Sequence, residues 1–329
     1  MSGPSFHYIE ATRLDDALAQ GARHGATYVA GGTDFLQLWK TGLAAPKTVI
    51  DICRLPLAEI SYAGDTLSLG ALSRLSDVAA HPDVKIHHPL IADAILASAS
   101  GQLRNMATLG GNLLQRTRCP YFRSAGLACN KRAPGSGCGA RDGENRHAAL
   151  FGTSSGCVAT HASDLAVALA ALDAEIVVAS AAGERRLRLP DLYLLPAPTT
   201  APDSSLADGD VITAISIHDA CRFAPRSTYL KIRDRASFEF AVVSVAAALQ
   251  IEDGVITAAR LAAGGVAPLP WRLHGSEAAL VGRAPGKAAF AAAGDLAIEG
   301  ATPLAKNAFK IPLLRSAVIR ALQTIGGVS

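Results

Sequence analysis

The sequence lacks the features that mark several large classes of protein. Its net charge is only +3 over 329 residues, which excludes the strongly basic surface typical of nucleic-acid binding. No apolar run is long enough to cross a bilayer. The N-terminal residues MSGPSFHYIE contain no hydrophobic region of a signal peptide, so we expect this polypeptide to carry no export signal of its own.

The common motifs of enzymes that bind nucleotides or break bonds are missing as well. The chain contains neither GxGxxG nor a Walker A loop, so neither of the two familiar nucleotide folds is indicated. It offers no nucleophile paired with a base and no molybdenum-binding pattern. Half of its residues are hydrophobic, and this content and the chain length predict two or three domains with ample core.

An irregular segment rich in glycine, proline, serine and arginine contains four of the six cysteines, Cys119, Cys129, Cys138 and Cys157. The intervals between them are nine, eight and eighteen residues, and none is the short C-x2-4-C pair of most zinc sites. A loop this long without apolar periodicity is usually functional or disordered. The spacing and the surrounding arginines and lysine favour an iron–sulfur cluster, and a structural zinc and unliganded or disulfide-bonded thiols stay open as alternatives.

Two glycine-rich turns are candidates for close approach of a ligand to the backbone, because glycine has no Cβ. The first comprises Val29, Ala30, Gly31, Gly32, Thr33, Asp34, Phe35 and Leu36, and the second Thr108, Leu109, Gly110, Gly111 and Asn112. From its residues alone the first is better explained as an ordinary strand-to-helix turn than as an anion-binding nest.

Further polar residues have two interpretations each. Ser163 and Asp164 either cap the apolar helix that follows them or face the second glycine turn. Lys231 is either an ordinary edge-strand cation or a cofactor contact. His81, His87 and His88 flank a proline-bounded loop and are expected to be surface residues.

Apolar patterning predicts an α+β fold whose composition changes near residue 222. The predicted strands are 6–9, 28–30, 48–52, 66–71, 176–179, 187–189, 211–217, 241–249 and 255–261, with a turn at Asp253 and Gly254. The predicted helices are 14–24, 75–80, 90–98, 164–172, 277–281, 288–293 and 313–324.

Taken in order, the motifs 30–34, 108–112, 163–165 and 231 with 237–238 resemble those of the FAD-binding subunits of the xanthine dehydrogenase and carbon monoxide dehydrogenase family, over essentially the whole chain. Most members lack the cysteine segment, and its presence makes the chain similar to the FAD and iron–sulfur subunits of bacterial periplasmic aldehyde oxidoreductases. The resemblance implies a two-subdomain fold of the vanillyl-alcohol-oxidase (PCMH) type over residues 1–222, divided at about 57/58. It also implies a 4Fe-4S loop at 115–158 and a C-terminal domain like that of carbon monoxide dehydrogenase flavoproteins at 223–329.

The same resemblance implies roles for individual residues. Residues 29–36 would bind the FAD pyrophosphate, and residues 108–112 would line a second wall. Ser163 and Asp164 would meet the ribityl or adenosine part, Ile212 the adenine region and Lys231 the flavin ring. The four cysteines would hold the 4Fe-4S cluster.

Such a subunit would work with a molybdenum-cofactor subunit and a 2Fe-2S subunit as a heterotrimer, and would pass electrons to an external acceptor: oxygen, a quinone or a soluble carrier. We expect a periplasmic location reached with a signal-bearing partner, with the cytoplasm as the alternative. A stand-alone FAD oxidoreductase with a zinc or thiol loop is the competing function, and a non-enzymatic interaction module is a third.

Overall fold

A computed structural model describes residues 4–198 and 202–328, which fold around three β-sheets. The first sheet is parallel with strand order β1-β3-β2, and its small core includes Ala17 and Ile50. Its elements are β1 (His7–Glu10), α1 (Leu14–Gly21), β2 (Ala26–Val29), α2 (Phe35–Lys40) and β3 (Thr48–Asp51).

The second sheet is antiparallel with strand order β4-β5-β8-β6-β7. Its strands are β4 (Ile60–Ala63), β5 (Thr66–Gly70), β6 (Glu175–Ser180), β7 (Gly183–Arg188) and β8 (Val211–His218). Its helices are α3 (Leu75–Ala80), α4 (Pro82–His87), α5 (Pro89–Ala97), α6 (Gly101–Arg104), α7 (Leu109–Leu113), α8 (Pro120–Arg123), α9 (Asp164–Ala171) and α10 (Leu189–Leu192).

The third sheet is antiparallel with strand order β12-β11-β10-β9, and helices cover one face of it. Its elements are a 3₁₀ helix (Cys221–Arg226), β9 (Ser227–Ile232), β10 (Val243–Glu252), β11 (Val255–Gly264), β12 (Trp271–Arg272), α11 (His274–Leu280), α12 (Lys287–Leu296) and α13 (Lys310–Gly326). Asp253 and Gly254 both have positive φ, as a two-residue hairpin turn requires.

Each sheet and its helices are called a unit below, numbered as the sheets are. Helix α9 joins the second unit to the third. All eight of its residues are buried, because residues of the second sheet and alanines of β10 and β11 pack around it in one core. A helix that is apolar on every side is expected to lie inside a protein. The first turn of α9 is therefore held firmly where the units meet.

The α+β class and the predicted strands and helices are confirmed, with shifts of a few residues at their ends. The predicted boundary at 57/58 falls between β3 and β4, and that at 222/223 falls inside the 3₁₀ helix. Residues 1–3, 199–201 and 329 of the predicted domains lie outside the described part.

Two expectations about local structure need correction. The second glycine turn is the start of α7, since Thr108 is its N-cap and accepts the Gly111 N–H at 3.4 Å. His88 is buried rather than on the surface, because the bend between α4 and α5 packs it edge-on against Tyr62 of β4. Burial lowers the pKa of His88 to about 4.

Residues 115–158 form an irregular insert, here called the cysteine insert. Its regular structure is limited to α8 and an isolated bridge between Cys129 and Cys138. The buried Asn130 side chain ties it together, donating to Gly156 O at 3.0 Å and accepting from Gly137 N–H at 2.8 Å. No helix in the described ranges is both long and apolar enough to span a membrane.

Candidate functional site

The first glycine turn is shaped by close backbone contacts. A Cβ on Gly31 would lie 1.9 Å from the carbonyl oxygen of Met106, and Gly32 has a φ of +69°. Glycine is needed at both positions. A side chain at Gly31 would collide with the Met106 carbonyl, and any other residue at Gly32 would have a strained backbone. The turn places Thr33 in a cleft and Leu36 in solvent.

The second turn contributes Asn112 to the same cleft. Leu109 and Gly110 are buried, and a Cβ on Gly110 would press on Ala71 at 3.2 Å. Gly111 is exposed, with only Thr108 Oγ1 within reach of an added Cβ. The amide of Asn112 is fixed by Ser163, whose hydroxyl donates to Asn112 Oδ1 at 2.5 Å.

Both interpretations of Ser163 and Asp164 hold at once. Ser163 Oγ accepts the Ala166 N–H at 3.0 Å and so caps α9. Asp164 Oδ2 lies 2.8 Å from Lys231 Nζ, and Asp164 Oδ1 accepts the Tyr229 hydroxyl at 2.7 Å. Burial raises the pKa of the Asp164 carboxyl, and Lys231 opposes the rise by stabilising the carboxylate. Lys231 also donates to Ala97 O at 3.1 Å.

One cleft therefore collects predicted residues from all three units. Thr33 comes from the first unit, Asn112 and Asp164 from the second, and Lys231 from the third. Loop residues 235 and 238–240 form its outer wall. Ile212 is not part of this lining, since it is buried in β8 behind Gly110.

A second cavity of about 430 Å³ adjoins this cleft at Gln115 and contains residues that the sequence did not single out. His161 packs edge-on against Tyr193 at 4.6 Å, and burial lowers the pKa of His161 to about 4. The imidazole is therefore neutral near pH 7. Its only signal in the sequence is its position two residues before Ser163.

The four cysteines of the insert are free thiols. Cys129 and Cys157 are buried, and Cys119 and Cys138 are half-buried. Burial raises the pKa of Cys157 to about 11 and also raises that of Cys119, and each of these two thiols has further insert cysteines as charge neighbours. Among the described residues no group of three or more His, Cys, Asp or Glu side chains is arranged to hold a metal ion.

Backbone N–H groups point at two of these thiols. The Ala159 N–H donates to Cys157 Sγ at 3.5 Å, and the N–H groups of Tyr121 and Phe122 lower the pKa of Cys119 against the effect of burial. Amide donors of this kind stabilise thiolates and tune metal centres. Two of the four sulfurs, those of Cys119 and Cys157, therefore have donors that would stabilise a thiolate.

The cations of the insert mostly have other partners than the thiols. Arg116 Nε lies 2.7 Å from Asp203, which Lys131 also contacts, and Arg146 lies 3.0 Å from Asp234. Arg132 and Arg141 donate to backbone carbonyls. Lys131 is the cation that lowers the pKa of Cys157. Most of these cations therefore stabilise the insert itself, and they do not all surround the thiols as expected.

Similarity to known proteins extends over most of the chain. A family model described as the FAD binding domain in molybdopterin dehydrogenase matches residues 4–218, and one described as the CO dehydrogenase flavoprotein C-terminal domain matches residues 228–325. The aldehyde oxidoreductase FAD-binding subunit PaoB of Escherichia coli is 42% identical over 307 residues, covering 92% of each chain. The glyceraldehyde dehydrogenase medium chain of Sulfolobus acidocaldarius is 27% identical and covers 86% of this chain and 83% of its own.

Solved structures have the same fold. A chain of carbon monoxide dehydrogenase from Hydrogenophaga pseudoflava superimposes with a TM-score of 0.77 at 26% identity, covering 99% of each chain. A chain of quinoline 2-oxidoreductase from Pseudomonas putida gives a TM-score of 0.76 at 23% identity, also covering 99% of each chain.

Proposed function

The chain belongs to the family of FAD-binding medium subunits of the xanthine dehydrogenase and carbon monoxide dehydrogenase type, and from this premise we propose that it carries FAD and a 4Fe-4S cluster in a molybdenum-containing aldehyde oxidoreductase. As a subunit of an oxidoreductase it would join a molybdenum subunit and a 2Fe-2S subunit. Aldehyde as the substrate class is supported by the names of two relatives, an aldehyde oxidoreductase and a glyceraldehyde dehydrogenase.

The observation that carries the flavin assignment is the meeting of Thr33, Asn112, Asp164 and Lys231 in one cleft. We infer that the open face of Gly111 and the backbone around Gly32 would hold the pyrophosphate, since glycine has no side chain of its own to keep a ligand away from the main chain. The Lys231–Asp164 pair would fix the wall beside the ring system rather than contribute a free cation, because Lys231 is already bonded to Asp164 and Ala97.

The cluster assignment is supported by the properties of the insert thiols. All four are free and buried or half-buried, and two of them, Cys119 and Cys157, have backbone amide donors. Cysteine sulfurs that bind a cubane each bond a different iron and stand farther apart than the ligands of one ion. The four thiols of the insert would supply the one sulfur per iron that a cubane needs.

When bound, the flavin would accept one or two electrons and the cluster one. The residues of this chain would bind and orient both groups, and the aldehyde would be oxidised on the molybdenum subunit. The acceptor that removes the electrons is open among oxygen, a quinone and a soluble carrier. Transport to the periplasm with a signal-bearing partner stays a prediction, which cell fractionation tests.

The cofactor assignment can be tested by comparing Cys129→Ser with Cys53→Ser after anaerobic co-expression with the partner subunits. Cys53 is an exposed cysteine outside the insert and serves as the matched control. We expect Cys129→Ser to lose about four irons per complex while saturating FAD still binds, and Cys53→Ser to keep both. Equal iron in the two variants would contradict the ligand assignment, and zinc in place of these four irons in the parent would support a structural zinc in the insert.

A further inference from the structure

The carboxylate of Asp34 is turned away from its own helix. Asp34 occupies the N-cap position of α2, where an aspartate usually accepts a hydrogen bond from the first helical turn, but its side chain makes no such bond. Asp34 Oδ2 accepts the Arg116 backbone N–H at 2.8 Å. Asp34 Oδ1 lies 2.9 Å from Arg118 Nη1 and 2.8 Å from Arg123 Nη2. Every partner of this carboxylate among the described residues belongs to the cysteine insert.

These contacts enclose the turn that contains Cys119. Arg118 directly precedes Cys119, and Arg123 is the last residue of α8, which follows it. Arg123 also donates to Thr117 O at 2.9 Å and to Arg116 O at 3.0 Å, so its guanidinium braces both sides of the turn. The carboxylate therefore helps to hold this part of the insert in place, together with the packing of Phe122 against Leu38 of α2.

Asp34 itself belongs to the first glycine turn. Only Thr33 separates it from Gly32, and Gln37 of α2 donates back to Thr33 O at 3.0 Å. The Asp34 side chain is 15% exposed and those of Arg118 and Arg123 are 25% and 18% exposed. Charge-assisted hydrogen bonds shielded to this extent are stronger than surface ion pairs. A movement of the Cys119 turn would therefore be transmitted to the backbone at Gly32 and Thr33.

We propose that Asp34 is a positioning residue that couples the two cofactor sites, so that filling the thiol site of the insert strengthens FAD binding at the glycine turn. The inference rests on the proposed function, because it needs both groups to bind this chain. Coupling between two binding sites is reciprocal, so bound FAD would also help the insert to retain iron by the same factor. Asp34 would act through the position of the turn, and not by contact with phosphate.

The test is a double-mutant cycle on FAD affinity, measured by flavin fluorescence in the full-length chain purified anaerobically with its partner subunits. In the parent background we expect Cys129→Ser to weaken FAD binding about 10-fold, within the usual range of coupling between sites. In the Asp34→Asn background Cys129→Ser should change the affinity less than about 2-fold. Asp234→Asn is the matched control, because Asp234 also pairs with an insert arginine, Arg146, but on the third unit. In the Asp234→Asn background Cys129→Ser should still weaken FAD binding about 10-fold.

A second measurement needs no substitution. The chelator concentration that removes half of the insert iron should rise when FAD is added to the parent protein. Arg123→Gln breaks the contact between Arg123 and Asp34 from the side of the insert, and it should abolish this rise. Unchanged FAD affinity in parent and Cys129→Ser, or a 10-fold effect that persists in Asp34→Asn, would overturn the coupling alone. A parent complex that binds FAD but contains no iron beyond that of the 2Fe-2S subunit would refute the proposed cluster and the coupling together.

Discussion

Replacing Lys231 by methionine removes one half of an ion pair that is almost completely shielded from water. The side chains of Lys231 and Asp164 are each 4% exposed, and Nζ and Oδ2 are 2.8 Å apart. In the variant the Asp164 carboxylate would keep only the Tyr229 hydroxyl as a side-chain donor. Because an uncompensated buried charge is left behind, we expect the free energy of unfolding to fall by about 3–5 kcal/mol.

This destabilisation has a specific dependence on pH. Without Lys231, burial raises the pKa of Asp164 further, so the folded variant holds a proton that the unfolded chain releases above pH of about 4. The folded state then binds more protons than the unfolded state, and its stability falls as the pH rises until the pH passes the raised pKa. The deficit relative to the parent should therefore be smallest near pH 4 to 5 and largest near pH 8.

The measurement is urea unfolding of the full-length chain at several pH values, followed by tryptophan fluorescence, since Trp271 lies in the third sheet. The double variant Lys231→Met with Asp164→Leu removes both charges and should recover most of the lost stability. A loss below about 1 kcal/mol in the single variant, or a deficit independent of pH, would refute the assignment of this pair as a buried, ionised contact.

Three other substitutions test separate features. Gly31→Ala should destabilise the chain by about 3 kcal/mol and lower its FAD content, because its Cβ would meet Met106 O at 1.9 Å, whereas Gly275→Ala, where nothing lies within 4 Å, should be neutral in a thermal melt. His88→Leu should flatten the acid limb of the stability curve: the pKa of His88 is about 4 when folded and about 6.5 when unfolded, so the parent loses about 3 kcal/mol as the pH falls from 6.5 to 4. An equally steep limb in both proteins would exclude His88 as the cause. Ser163→Ala should lower the free energy of unfolding by about 1 kcal/mol in urea titrations through loss of the α9 cap, whereas Ser163→Thr, which keeps a hydroxyl at this position, should retain most of the stability.

Features that depend on residues close together in the chain were predicted from the sequence, and features that depend on distant residues were not. Helix α9 and the hairpin at Asp253 and Gly254 were predicted because apolar patterning and turn chemistry act over a few residues. His88 was misplaced because its burial depends on Tyr62, 26 residues earlier in the chain, against which it packs edge-on.

The sequence by itself determined the α+β class, most elements, the two glycine turns and the four thiols as candidates, since these are properties of composition and local spacing. Only the tertiary structure decided what the charged groups do. The Asp34 carboxylate could have capped its helix or bound a ligand. Instead it accepts hydrogen bonds from Arg116 and Arg123, which lie 82 and 89 positions further along the chain. Lys231 likewise pairs with Asp164 across 67 positions. Charges act through space and not along the chain, so folding alone selects which partners they meet.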